Sequence, residues 1–177
     1  NGNNLSKWWL ITSSLVFYGY WEISYLPLIT GSILFNYLLS GKIFNTNIHK
    51  VKKSYFLLGI LFNIGLLGYF KYKNFFMDNL NWVLGTEYNF AKVMLPLGIS
   101  FFTLQQIAYL VDVYEGLAKK VAFHKYALFV SFFPQLIAGP IVRCQEMIPQ
   151  LQKGLLGKLS SKNFWSGICL FSIGLFK

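Results

Sequence analysis

The sequence predicts an all-α fold: a polytopic transmembrane helical bundle with a re-entrant or broken helix around Pro134 to Pro140. Three observations carry this prediction. First, hydrophobic residues make up 55% of the 177 residues and charged residues 12%, about half the roughly 25% charge of soluble domains. Second, four uncharged runs recur, Ile23 to Gly41, Ser54 to Phe70, Val93 to Val111 and Tyr126 to Val142, each close to the ~20 residues a spanning helix needs. Third, the stretch from Phe129 to Gln150 sets Gln135, Arg143, Glu146, Pro134 and a Gly139-Pro140 pair inside or beside an apolar segment. Hydrocarbon satisfies neither a broken backbone nor a bare guanidinium, so companion helices or a wet cavity are expected to enclose this segment.

The elements follow in order. Trp8 to Trp21 is aromatic and apolar but short for a full span, and Glu22 and Pro27 interrupt it before a second segment, Tyr25 to Ser40. A connection bearing Lys42, Lys50, Lys52 and Lys53 follows, and positive-inside bias puts it on the cytoplasmic side. Tyr55 to Phe70 crosses outward, with Lys71, Tyr72 and Lys73 as interface anchors. Phe75 to Leu84 places Phe76, Leu80, Val83 and Leu84 on one face, the spacing of a separate helix lying in the interface. Leu97 to Tyr114 crosses back after Pro96, and the basic connection Glu115 to Lys125 returns to the cytoplasmic side. Tyr126 to Ala138 is then broken at Pro134 and stopped at Gly139-Pro140. The next connection, Gln152 to Lys162, is again Lys-rich, so the intervening chain must enter and leave on one side. A last apolar run begins at Trp165.

The net charge of +10 resides largely in lysines of these connections. That placement reads as membrane topology rather than as a nucleic-acid surface. Cys144 and Cys169 have neither C-x-x-C spacing nor a nearby His, so no metal site is expected. The chain starts at Asn1 and reaches Lys177 within an apolar run. Residues 1–177 are therefore expected to form one integral-membrane domain, the N-terminal part of a larger protein.

Two constellations can carry chemistry. In the first, Arg143 and Glu146 are three apart and share a helical face, with Gln135 upstream. They suit either a structural ion pair or the capture of a phosphate or carboxylate by the guanidinium. In the second, Gln105, Tyr109 and Asp112 fall on one stripe, with Gln106 beside it. Such groups line a conduit or hydrogen-bond between helices. Asn36, Asn63 and Glu22 are weaker signals of the same kind, and His49 and His124 read as solvated connection residues.

The blocks LVFYGYWEISYLPLI (Leu15 to Ile29), LPLGISFFTLQQIAYLVDVYEG (Leu95 to Gly116) and FFPQLIAGPIVRCQEMIPQL (Phe132 to Leu151) together resemble the membrane-bound O-acyltransferase family, in its alginate O-acetyltransferase branch. The resemblance implies a multi-pass protein of the inner, cytoplasmic membrane. In it a donor such as acetyl-CoA or an acyl carrier protein, the substrate rather than a bound cofactor, gives up an acyl group to hydroxyls of an extracytoplasmic polysaccharide such as alginate or peptidoglycan. It further implies surrounding membrane lipids, a periplasmic or extracellular acetyltransferase partner, and a catalytic His in a later segment beyond Lys177. Gln105, Gln106, Tyr109, Asp112, Gln135, Arg143 and Glu146 are the substrate-channel candidates, with Pro134, Gly139 and Pro140 as architecture. The rival expectation is a transporter or flippase subunit with the broken segment as its gate.

Overall fold

A computed structural model describes residues 2–85, 93–138, 142–152 and 161–176. All regular elements among them are helical: α1 (Gly2–Trp21), a 3₁₀ turn (Ile23–Tyr25), α2 (Leu26–Asn45), α3 (His49–Leu84), α4 (Ile99–Tyr114), α5 (Phe123–Ser131), α6 (Phe133–Ala138), α7 (Cys144–Gln152) and α8 (Ser161–Leu175). Among the described residues, two stretches are long and apolar enough to cross a membrane, Ile23–Asn45 and His49–Leu84.

The interruption near Glu22 is present. The Glu22 side chain accepts from the Ser24 N–H at 3.4 Å and caps the 3₁₀ turn, and Pro27 then sits in the first turn of α2, where its missing N–H costs nothing. The expected basic loop after Ser40 is mostly helix. Lys42 belongs to α2, and Lys50, Lys52 and Lys53 to α3, so only residues 46–48 connect the two.

The largest departure concerns α3. A span and a separate interfacial helix were expected, yet one helix of 36 residues runs from His49 to Leu84. Lys71 to Asn74 contains neither Gly nor Pro, and straight-chain and aromatic residues cost a helix little. The helix ends at Gly85, whose φ of 61° makes the left-handed cap. In contrast, α4 begins at Ile99 and has 16 residues. It corresponds to the crossing expected over Leu97 to Tyr114, with Pro96 and the left-handed Gly98 (φ 64°) setting its start. The fourth run is divided. The break falls at Phe132, between α5 and α6, rather than at Pro134, the second residue of α6. Gly139 and Pro140 lie outside the described residues.

Contacts order these helices up and down. At one end, Tyr37 donates to the Val121 carbonyl at 3.3 Å, and Tyr114 stacks on Phe56 at 4.5 Å with Lys52 over its ring at 5.3 Å. The lysine-bearing ends of α2 and α3 therefore meet the lysine-bearing α4–α5 connection. At the other end, the Tyr25 hydroxyl donates to the Met94 carbonyl at 2.6 Å. There too Asn74 clasps Val93, donating to its carbonyl at 2.8 Å and accepting its N–H at 3.1 Å. Helices α1 and α5 run in parallel, with Trp8 near His124 (6.2 Å) and Phe17 near Phe133 (5.1 Å). The core lies where α2, α3, α4 and α5 meet, around Ile43, Phe102, Leu110 and Tyr126, each 0% exposed. At Gly59 an added methyl would come 2.5 Å from Leu110 Cδ1 and 3.4 Å from Leu39 Cδ1. That absence of a side chain lets α3 approach α2 and α4 closely.

Candidate functional site

The centre of the bundle is polar. Ser32 and Asn36 are four apart on α2, Asn63 lies on α3, Gln106 on α4 and Tyr126 on α5, and none exceeds 2% exposure. Asn36 Nδ2 donates to Gln106 Oε1 at 2.7 Å, and Asn63 Nδ2 donates to Asn36 Oδ1 at 2.7 Å. Gln106 Nε2 donates to Ser32 Oγ at 3.0 Å, and the Tyr126 hydroxyl approaches Gln106 Oε1 at 3.4 Å. The spare amide hydrogens reach the helix backbones: Asn63 Nδ2 donates to the Gly59 carbonyl at 2.7 Å and Asn36 Nδ2 to the Ser32 carbonyl at 3.0 Å. Each amide is thus multiply satisfied, the condition under which a buried polar network stabilises a packing instead of costing it.

The stripe expected on α4 faces inward: Gln105, Gln106, Tyr109 and Asp112 are all buried. Of these, only Gln106 hydrogen-bonds into the central network. Tyr109 packs at a tilt against Tyr126, ring centroids 4.7 Å apart, and lies beside Ser40, one turn nearer the lysine end. Asp112 uses its backbone carbonyl to accept from the Leu117 and Ala118 N–H groups at 2.8 and 3.0 Å, closing α4 where Gly116 turns left-handed (φ 77°). Cys144, at the start of α7, is buried.

Gln135, Arg143 and Glu146 lie on α6 and around the start of α7. Gln135 is half-buried on α6, next to Leu136, which abuts Gly98 at the start of α4. Arg143 and Glu146 are exposed in the first turn of α7, where the Glu146 N–H donates to the Arg143 carbonyl at 3.0 Å. Pro134 is exposed at the head of α6. His49 is exposed with its Nε2 3.5 Å from the Tyr114 hydroxyl. His124 departs from a solvated reading, because its Nε2 is buried without a hydrogen-bond partner among the described residues. Burial, then the neighbouring Lys7 and Lys125, push its pKa below the ordinary value.

Two cavities open at the lysine end. One, of about 440 Å³, is lined by Lys119, Lys120, Lys125, Ala118 and Cys144 among others. The second, of about 520 Å³, lies against α2, between α3, α4 and the α4–α5 connection. Lys120 and Val121 form the wall shared by both.

Sequence reasoning missed Ser32 and Tyr126. Ser32 was detectable, because Ser32 and Asn36 share one face of an otherwise apolar helix. Tyr126 gave no such signal among its aromatic neighbours.

This arrangement has close relatives among known sequences. The chain is 43% identical to the peptidoglycan O-acetyltransferase of Helicobacter pylori over 97% of its own length and 37% of that protein's. It is 36% identical to the probable alginate O-acetylase AlgI of Pseudomonas aeruginosa and 37% identical to that of Pseudomonas putida. In both cases 80% of this chain is covered, against 28% and 30% of the relatives. The chain thus spans about a third of the length of the curated relatives it matches. No family model and no solved structure matches.

Proposed function

Because the chain belongs to the membrane-bound O-acyltransferase family, we propose that it is part of a membrane O-acetyltransferase that moves an acyl group from a cytoplasmic donor to hydroxyls of an extracytoplasmic polysaccharide. One observation carries this reading: the 43% identity to a peptidoglycan O-acetyltransferase, sustained over 97% of the chain. Peptidoglycan and alginate are the acceptor classes that the relatives' names supply.

In this reading the protein is a multi-pass protein of the inner membrane with its lysine end in the cytoplasm. The meeting of the lysine-bearing ends of α2 and α3 with the lysine-bearing α4–α5 connection supports that orientation. Helices α5 and α6 enter from the lysine end, where His124 faces Trp8, and reach Gly98 through Leu136. The chain is back at the lysine end by Cys144 and Ile148, which line a cavity with Ala118 and Ala122. These contacts support a re-entrant element. The lysines of the 440 Å³ cavity suit the phosphates of a donor such as acetyl-CoA or a carrier-protein arm.

Within this reading the chain's own residues position and insulate. The Ser32–Asn36–Asn63–Gln106 network fixes three helices, α2, α3 and α4, against one another, and the apolar core excludes water that would hydrolyse the acyl donor. His49 and His124 stand at the lysine end, away from that network. The general base that takes the acceptor proton is accordingly assigned to the rest of the whole protein. Delivery to the polymer is assigned to an extracytoplasmic acetyltransferase partner. A transporter reading rests on nothing beyond the broken segment.

The test is full-length protein in vesicles, with labelled acyl donor outside and peptidoglycan or alginate oligomers inside. Acetyl esters on the enclosed oligomers support the proposal. Movement of polymer or donor without ester formation overturns it.

A further inference from the structure

The 520 Å³ cavity differs in character from its neighbour. Its walls are Phe35, Leu38, Leu39, Phe44, Leu58 and Val121, with Tyr109 at its inner side. Its polar lining is Ser40, Asn45 and tyrosine side chains with two lysines, Lys42 from α2 and Lys120 from the α4–α5 connection, and no Asp or Glu is among its described lining residues. Lys42 Nζ is held 5.3 Å above the Tyr55 ring, which orders the ammonium without neutralising it. The volume lies within the roughly 300–1,000 Å³ of ordinary ligand sites.

An apolar slot with two cations is complementary to an amphiphile whose head is anionic and whose tail is hydrocarbon. A free phosphate would leave the apolar wall unfilled, and a zwitterionic lipid would bring its own cation to the lysines. We propose that this cavity holds one acyl chain of an anionic phospholipid, with Lys42 and Lys120 on its phosphate. The site requires only that the lysine end lie at a membrane surface, where anionic headgroups attract basic side chains. It is therefore independent of the acyl-transfer reading. Because Lys120 also borders the neighbouring cavity, lipid occupancy would fix the side chain that divides the two.

Native mass spectrometry of the full-length protein, exchanged into phosphatidylglycerol or phosphatidylcholine, tests this directly. The expected result is one retained phosphatidylglycerol and no retained phosphatidylcholine. Lys42→Gln and Lys120→Gln should each weaken retention about fivefold, the effect of one lysine at an anionic surface. A Lys50→Gln/Lys53→Gln control, at lysines that do not line the cavity, should leave retention unchanged. Leu58→Trp, which fills the slot and keeps both charges, should also abolish retention. Equal loss in the control pair, equal retention of phosphatidylcholine, displacement by millimolar inorganic phosphate, or full retention in Leu58→Trp would each overturn the assignment. Acetyl-transfer assays of the same variants keep the outcome separate from the family reading.

Discussion

Asn36 and Asn63 exchange hydrogen bonds side chain to side chain: Asn63 Nδ2 donates to Asn36 Oδ1 at 2.7 Å, and Asn36 Nδ2 returns the contact to Asn63 Oδ1 at 3.3 Å. Both are fully buried, so replacing one leaves the other's polar group bare. Asn36→Leu or Asn63→Leu alone should lower stability by about 1–3 kcal/mol. The double variant should cost less than the sum, read as a thermal-unfolding midpoint of the full-length protein in detergent. Strict additivity would mean that the pair is not coupled.

Gly98 combines a left-handed backbone (φ 64°) with close contact, since a methyl there would lie 2.8 Å from Leu136 Cγ and 3.0 Å from its carbonyl oxygen. Gly98→Ala should destabilise by about 1–2 kcal/mol from backbone handedness, with the Leu136 clash added. Gly31→Ala, in α2 with nothing within 4 Å, should be neutral or mildly stabilising. A reversed order in thermal-shift measurements would contradict the placement of α6 against α4.

Topology can be read by labelling. Single cysteines at Lys50 and Lys119, introduced into cysteine-free full-length protein, should react with an impermeant maleimide from the cytoplasmic side. One at Asn79, on the exposed far part of α3, should react from outside. Labelling of positions 50 and 119 from opposite sides would refute the shared lysine end.

The buried Nε2 of His124 carries a pH signature. Its pKa is lowered in the fold, by burial first and then by Lys7 and Lys125. Below the unfolded value of about 6.5, the unfolded chain takes up a proton that the folded chain refuses. Stability should therefore be constant above that pH and fall as the solution is acidified toward the lowered pKa. His124→Gln should flatten the fall in a pH series of unfolding midpoints, whereas an unchanged series would assign the acid sensitivity elsewhere.

Much of this was legible in the residues, but unevenly. The inward stripe of α4 followed from spacing alone, because Gln105, Tyr109 and Asp112 recur at helical period in an apolar run. The interruption at Glu22 was equally plain. The continuity of α3 was not: lysines at Lys71 and Lys73 look like a membrane boundary to composition, while the backbone sees only helix-compatible residues. The central network was half visible. Polar residues in apolar runs announce themselves singly, but which of them meet depends on helix pairing, a property of three dimensions. The grouping of Gln135 with Arg143 and Glu146 was drawn from proximity in sequence, and these residues fall on α6 and at the start of α7.

Only residues 46–48 join α2 to α3. So short a tether makes α2 and α3 one hairpin, in which sliding either helix along the other by a turn would part Asn36 from Asn63. The amide of Gln106, from α4, joins the pair that this register holds together. Helix register is thereby written into the spacing of two asparagines and one tight bend.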